Sequence, residues 1–322
     1  MKKLLCLMVM LAVAVTGCQS PDYQVVYGEK VTEYVEVETV VYVGDTGEPE
    51  VVYVEVEDTG WDDEIWVEHF TQPMGADGVD ILWIIDTSGS MNRYDPQLIA
   101  GIEAMMNALP ESGWRLAMLS NDPDEASVEA QFPLVPGDDV EDALDMYSLM
   151  GRGHREEGFD SAYEYMVNNA YASTWMRSDA ALLIVFVSDE EEQSDEHFPL
   201  VSDFTAWYST QRMGSAYLAS INNVEQADSI CTTPPNAIDV GERYMEATNY
   251  FGGTVVDICS DDWAPGVTDA STQVEPLEEW PLQYDPRPAS IEVFLNGVLS
   301  SDWVYDSVEN KVVFTVIPAG VF

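Results

Sequence analysis

The stretch Val79-Asp80-Ile81-Leu82-Trp83-Ile84-Ile85-Asp86-Thr87-Ser88-Gly89-Ser90 decides the fold. Its first seven residues are apolar except for Asp80, and such a continuous run suits a strand covered on both faces. Similar runs recur at Trp114 to Leu119, Ala180 to Val187, Ser215 to Ile221 and Thr254 to Ile258. Between them lie amphipathic stretches, Pro96 to Leu109, Val140 to Leu149, Gly158 to Tyr171, Phe198 to Gln211 and Val240 to Phe251. Short apolar strands separated by helices of this length imply βαβ units. The expected fold is α/β, a doubly wound and mostly parallel sheet. In such a sheet ligands bind beyond the carboxyl ends of the strands, and Asp86 stands at one of those ends.

Composition narrows the function. The chain has 322 residues, with 12 Lys+Arg against 59 Asp+Glu and a formal net charge of -47. A surface this acidic repels phosphates, so nucleic acid is excluded as a partner, as is a polybasic grip on anionic lipid. Yet 46% of the residues are hydrophobic, a globular composition, and the length suggests about two domains.

The start, Met1-Lys2-Lys3 followed by the apolar run Leu4 to Val15, has the layout of an export signal and is too short to span a membrane. It ends in Val15-Thr16-Gly17-Cys18, which resembles the bacterial lipobox, in which cleavage precedes a Cys whose thiol receives a diacylglycerol. The expectation is a signal peptide over residues 1–17, lipidation of Cys18 and anchoring by acyl chains. Gln19 after the Cys favours the outer membrane or cell surface. Cys6 then leaves with the signal, and Cys231 and Cys259 remain to pair as a disulfide in an oxidising compartment.

From Gln19 to Gly75 there are 15 acidic residues and one Lys, and the segment repeats itself in Val40-Val41-Tyr42-Val43 and Val51-Val52-Tyr53-Val54. Alternating Val/Tyr and Glu would suit a strand, but no partner for either face is found within the segment and like charges repel along it. Residues 18–75 are therefore read as an extended, disordered acidic tether. At the other end, 266–288 reads as a Pro-rich linker and 289–322 as a small antiparallel β unit, on the alternation of Ile291 to Leu295, the Asn296-Gly297 turn and the run Lys311 to Ile317. Under 40 residues is thin for an independent core.

In an extended turn alternate residues project to one side, so the Asp86 carboxylate and the Ser88 and Ser90 hydroxyls converge. All are hard oxygen ligands, suited to Mg²⁺, Mn²⁺ or Ca²⁺. The plain alternative is a turn capping the next helix, since Ser and Asp are favoured there. Asp-x-Ser-x-Ser after an apolar strand, with this order of strands and helices over residues 76–265, resembles the von Willebrand factor type A domain and its metal-ion-dependent adhesion site.

That resemblance implies a divalent cation, Mg²⁺ first, at Asp86, Ser88, Ser90 and Asp189, the last ending the buried run Leu182 to Val187 and Ser188. The family also supplies a Thr from an intervening loop. Here that loop, Gly151-Arg152-Gly153-His154-Arg155-Glu156-Glu157-Gly158, has no Thr, and Glu156 or Glu157 takes its place. A third carboxylate would partly satisfy the ion, making the site more tolerant of Ca²⁺ or a partner's acid optional. The expected function is cation-dependent binding of a protein or extracellular ligand, in adhesion or envelope assembly. The other reading is a structural envelope scaffold with a degenerate, metal-free site.

No enzyme is expected. Asp45-Thr46-Gly47 and Asp58-Thr59-Gly60 look like aspartic protease triplets but lie in the tether, and His69, His154 and His197 fall in polar or loop contexts with no Gly-x-Ser-x-Gly elbow. Nucleotide binding is not expected either, because no phosphate-binding Gly-rich loop follows strand one. The acidic run Asp189 to Glu192 with Asp195 and Glu196 reads as a solvated loop, and Trp263, Trp280 and Trp303 as packing between the α/β core and the β unit.

Overall fold

The computed structural model describes residues 23–30, 37–41, 50–54, 63–70, 78–212, 215–224, 231, 238–275, 277–295 and 298–315. The leader, Cys18, the two Asp-Thr-Gly triplets and the Asn296-Gly297 turn lie outside the described residues. Among the described residues no helix is long and apolar enough to cross a membrane. The chain forms two units, one of strands from its two ends and one spanning Gln72–Pro276.

Four strands come first: β1 (Tyr23–Lys30), β2 (Val37–Val41), β3 (Glu50–Val54) and β4 (Asp63–Phe70). The second unit follows with β5 (Val79–Ile85), α1 (Asp95–Ala108), β6 (Trp114–Ser120), α2 (Pro123–Val128), α3 (Val140–Leu149) and α4 (Gly158–Tyr163). It is completed by β7 (Ala181–Val187), α5 (Val201–Tyr208), β8 (Ala216–Asn222), α6 (Glu242–Tyr250), β9 (Thr254–Asp257) and α7 (Ala264–Thr272).

These five strands form one all-parallel sheet in the order β6-β5-β7-β8-β9. Counted within the sheet this is 2-1-3-4-5, so the chain reverses direction between β5 and β7, where an open sheet leaves a crevice beyond its carboxyl edge. Every residue of β5 and β7 is buried. Ile81, Trp83 and Ile85 face a core shared with Leu98, Ile102 and Met105 of α1, Met146 of α3 and Val267 of α7. Leu82 and Ile84 face another shared with Phe159 of α4, Phe204 of α5 and Tyr244 of α6. The spacing of Leu98, Ile102 and Met105 places all three on one helix face.

The polar break in β5 is neutralised from outside the strand. Asp80 accepts from the Arg177 backbone N at 2.6 Å, from Nε at 2.9 Å and from Nη2 at 2.7 Å. Strand entry is equally constrained. Gly78 has φ +94, and a Cβ there would fall 1.6 Å from the Gly113 carbonyl oxygen, which accepts from Val79 N at 2.8 Å.

Two helices in this unit run through stretches that the prolines mark as breaks. Pro123 and Pro265 occupy the first turns of α2 and α7, where a missing N–H costs nothing. α7 packs on α1 and β9, so the α/β unit continues to Pro276 through much of the stretch read as a linker.

The chain then gives β10 (Glu279–Pro281), β11 (Glu292–Leu295), β12 (Val298–Ser300), β13 (Trp303–Asp306) and β14 (Lys311–Phe314). Within the stretch read as a tether, the structure differs at β1 and β4. These pair antiparallel with each other and join β11 and β12 in a four-stranded sheet of order β12-β11-β1-β4. The acidic segment thus supplies partners for its own strands, Val26 opposing Val67, and β1 gains a second from the far end of the chain, where Val25 pairs with Val293. β2 and β3 pair as a two-stranded sheet in which Val40 opposes Val51. β10, β14 and β13 form a third antiparallel sheet.

Val25, Leu282, Ile291, Val293, Val312 and Phe314 make the small core of this unit, against which Trp280 and Trp303 pack. Glu68 accepts from Trp280 Nε1 and Gln283 N, each at 2.9 Å. Trp263, by contrast, is fully buried in the α/β unit and donates to the Ile258 carbonyl at 3.0 Å.

Candidate functional site

Asp86 follows β5 directly, and its N–H continues the ladder by donating to the Val187 carbonyl at 2.8 Å. This brings the loop after β5 beside the loop after β7. The Asp86 carboxylate is fixed by Ser88 N on Oδ1 at 2.7 Å and by the Ser188 hydroxyl on Oδ2 at 3.0 Å. Ser88 and Ser90 Oγ stand 2.8 Å apart, and Ser90 Oγ donates to Asp189 Oδ1 at 2.9 Å. Asp86 and Asp189 are both buried. Thus Asp86, Ser88, Ser90 and Asp189 form one connected group of oxygens at the switch point of the sheet.

The third loop is laid against the first two by its backbone. Gly153 N donates to Thr87 Oγ1 at 2.9 Å, Glu157 N to the Asn121 carbonyl at 3.1 Å, and Gln193 N to the Glu156 carbonyl at 2.7 Å. Asp122, after β6, holds the same loop by accepting from His154 N at 3.0 Å. Gly153 passes so close that a Cβ would lie 2.0 Å from the Asp122 Cβ. Phe159, just beyond the loop, is wedged against Phe204 at 4.1 Å and Phe186 at 5.4 Å between ring centroids.

The two glutamates of that loop differ. Burial pushes the Glu156 carboxyl up to about 7, with further upward pressure from Glu190, Asp86 and Asp189. Glu157 instead stands 3.3 Å from the Arg155 guanidinium, away from that group. Of the two, Glu156 is the one whose carboxyl the charges of Asp86 and Asp189 push upward.

Burial also raises Asp189, with Asp86 adding to the rise while Ser90 and Arg93 oppose it. Glu190 is raised by burial, then by Asp86, Asp189 and Asp239. Carboxylates that raise one another's proton affinity repel, and a cation among them relieves that repulsion. The donor set that the hydrogen bonds bring together is all oxygen, two neutral hydroxyls and two carboxylates, which fits Mg²⁺, Mn²⁺ or Ca²⁺.

Three residues at this site escaped the sequence. Ser188 braces Asp86, Asp239 adds charge beside Glu190, and Arg93 Nη2 lies 3.5 Å from Asp189 Oδ2. The acidic run is also more structured than a solvated loop. Glu192 is buried, accepting from Ser194 N at 3.0 Å and lying 3.0 Å from Arg243, while Glu191 caps α6 by accepting from Glu242 N at 2.9 Å. Asp160 holds the rest of the run by accepting from Glu196 N at 3.0 Å and His197 N at 3.1 Å.

Cys231 and Cys259 are joined in a disulfide with Cα atoms 5.8 Å apart. Together with Asp257 they bring possible ligand atoms within 4.8 Å of one another. Sulfurs held in a disulfide are not thiolates, so a single carboxylate is left and this group does not fit a metal.

No protein-family model matches the chain, and no curated protein matches it in sequence. Among solved structures it is similar to proximal thread matrix protein 1 of the mussel byssus, at 9% identity and a TM-score of 0.36. The match covers 61% of this chain and 46% of that one, and is too distant to bear on function.

Proposed function

We propose that the chain is a lipid-anchored envelope protein whose α/β unit is of the von Willebrand factor type A kind. It binds a divalent cation through Asp86, Ser88, Ser90 and Asp189, with Glu156 as a further ligand. Through the ion it holds a protein or extracellular ligand. The observation that carries this reading is the Ser90 hydroxyl donating to Asp189 at 2.9 Å, which joins two loops 99 residues apart beside Asp86.

When bound, the cation supplies a Lewis-acid point of attachment for an acidic side chain of the partner. The chain's own residues set how strong that attachment is. Ser88 and Ser90 contribute no charge, so the demand left for an outside carboxylate depends on how many of Asp86, Asp189 and Glu156 are ionised. Neighbours hold the ligands in place: Ser188 fixes Asp86, and the Gln193 N–H holds the backbone of Glu156. The membrane attachment rests on Val15-Thr16-Gly17-Cys18.

The test is capture of a partner from envelope extract with and without Mg²⁺. Capture by wild type that requires Mg²⁺ and is lost in Asp86→Ala supports the reading. Capture that is the same with chelator and in Asp86→Ala overturns it. Incorporation of labelled palmitate that disappears in Cys18→Ser supports the anchor, and persistence of the label contradicts it.

A further inference from the structure

A cation of the protein's own stands at the candidate site. Of the chain's 12 Lys+Arg, Arg93 places Nη2 3.5 Å from Asp189 Oδ2 and donates from Nε to the Ser90 carbonyl at 3.0 Å. Two residues of the proposed ligand group therefore hold it. Arg93 lies three residues after Ser90 in the 3₁₀ turn Gly89–Tyr94, and its guanidinium carbon sits 5.4 Å from the Tyr94 ring centroid. The side chain is 45% exposed, and these three contacts hold it over the candidate site.

We infer that Arg93 is a built-in counter-ion that competes with the divalent cation for Asp189 and so sets the affinity of the site. This rests on the cation-binding reading above. A divalent ion taken by Asp189 meets a guanidinium beside the same carboxylate: if Arg93 stays, the two positive charges repel, and if it swings out, its contact with Asp189 is lost. Arginine keeps its charge at every working pH, so the competition is permanent. Because the side chain is partly exposed, solvent and salt screen the effect, which therefore fades as ionic strength rises. An ion entering the site must gain more from Asp86, Asp189 and Glu156 than it loses to Arg93, a condition that favours divalent over monovalent ions.

The experiment is calorimetric titration of Mg²⁺ into the full chain at low ionic strength, using wild type, Arg93→Gln, Arg93→Lys and Asp86→Ala. The expected result is about 5-fold tighter binding by Arg93→Gln, roughly 1 kcal/mol, with Arg93→Lys close to wild type. The difference shrinks when inert salt is added. Equal or weaker binding by Arg93→Gln, with wild type binding and Asp86→Ala inactive, overturns the role of Arg93 and leaves the cation site standing. Absence of Mg²⁺ binding in both wild type and Arg93→Gln overturns the cation site and this inference with it.

Discussion

Ser90 Oγ donates to Asp189 Oδ1 across 2.9 Å, and this bond ties the turn after β5 to the turn after β7. Parallel strands side by side deliver their following loops to the same edge, so the bond follows from the pairing of Ile85 with Val187. The site's properties turn on what surrounds that link.

The first property is the third carboxylate. Glu156 feels the charges of Glu190, Asp86 and Asp189, and removing it lowers the charge count of the ligand set. Glu156→Thr is expected to weaken cation binding roughly tenfold, more for Ca²⁺ than for Mg²⁺, since Ca²⁺ affinity follows ligand charge and number. Calorimetric titration of both ions into wild type and variant checks this. Identical affinities in the two proteins remove Glu156 from the ligand set.

Stability should fall as pH rises in the presence of chelator. Glu192 is raised to about 7, chiefly by burial, and Glu156 is raised likewise. A raised carboxyl binds its proton more tightly in the folded than in the unfolded chain. Its contribution to stability is therefore complete below the ordinary Glu value and lost as pH passes about 7. The melting temperature is expected to be higher at about pH 5 than at about pH 8, with a shallower slope in Glu192→Gln. A melting temperature that climbs over this range contradicts the raised proton affinity of Glu192 and Glu156.

Asp80 is the buried acid on which β5 depends. In Asp80→Ala the Arg177 guanidinium, whose side chain is 17% exposed, loses its carboxylate. Breaking a buried pair from one side costs about 3–5 kcal/mol. Urea denaturation is expected to show that loss with an unchanged slope, and a change below about 1 kcal/mol contradicts the pairing.

The disulfide is a staple and not a ligand. It closes a loop of 28 residues, a constraint on the unfolded chain of roughly 3.5 kcal/mol in the chain-entropy picture. Cys231→Ser is expected to lower stability by about that amount and to leave Mg²⁺ affinity unchanged. Lost affinity at unchanged stability contradicts the assignment.

The parallel sheet is legible in the sequence because a strand covered on both faces must be apolar throughout, and Val79 to Ile85 shows this with one exception. The exception is settled by Arg177, whose position no local pattern reveals. α2 and α7 are hidden by Pro123 and Pro265, residues that break a helix interior but fit its first turn. β1 and β4 are hidden for a different reason: they pair with each other across the intervening acidic residues and β1 also pairs with β11 from the far end of the chain, and alternation along one stretch does not say which other stretch it pairs with.

At the site, Asp86, Ser88 and Ser90 are legible from spacing along one turn. Asp189 follows from its place after a buried strand. The choice between Glu156 and Glu157 needs the loop's path, which Asp122 sets through the His154 N–H. Arg93 and Ser188 join the site through loop geometry that spacing does not express.

Everything proposed for this chain depends on Asp86, Ser88, Ser90 and Asp189 holding a divalent cation. The direct measurement is calorimetric titration of Mg²⁺ into chelator-stripped wild type and Asp86→Ala, with the fold of each checked by circular dichroism. The expected result is one saturable site in wild type and none in a folded Asp86→Ala. No saturable binding in wild type, or equal binding in Asp86→Ala, contradicts it.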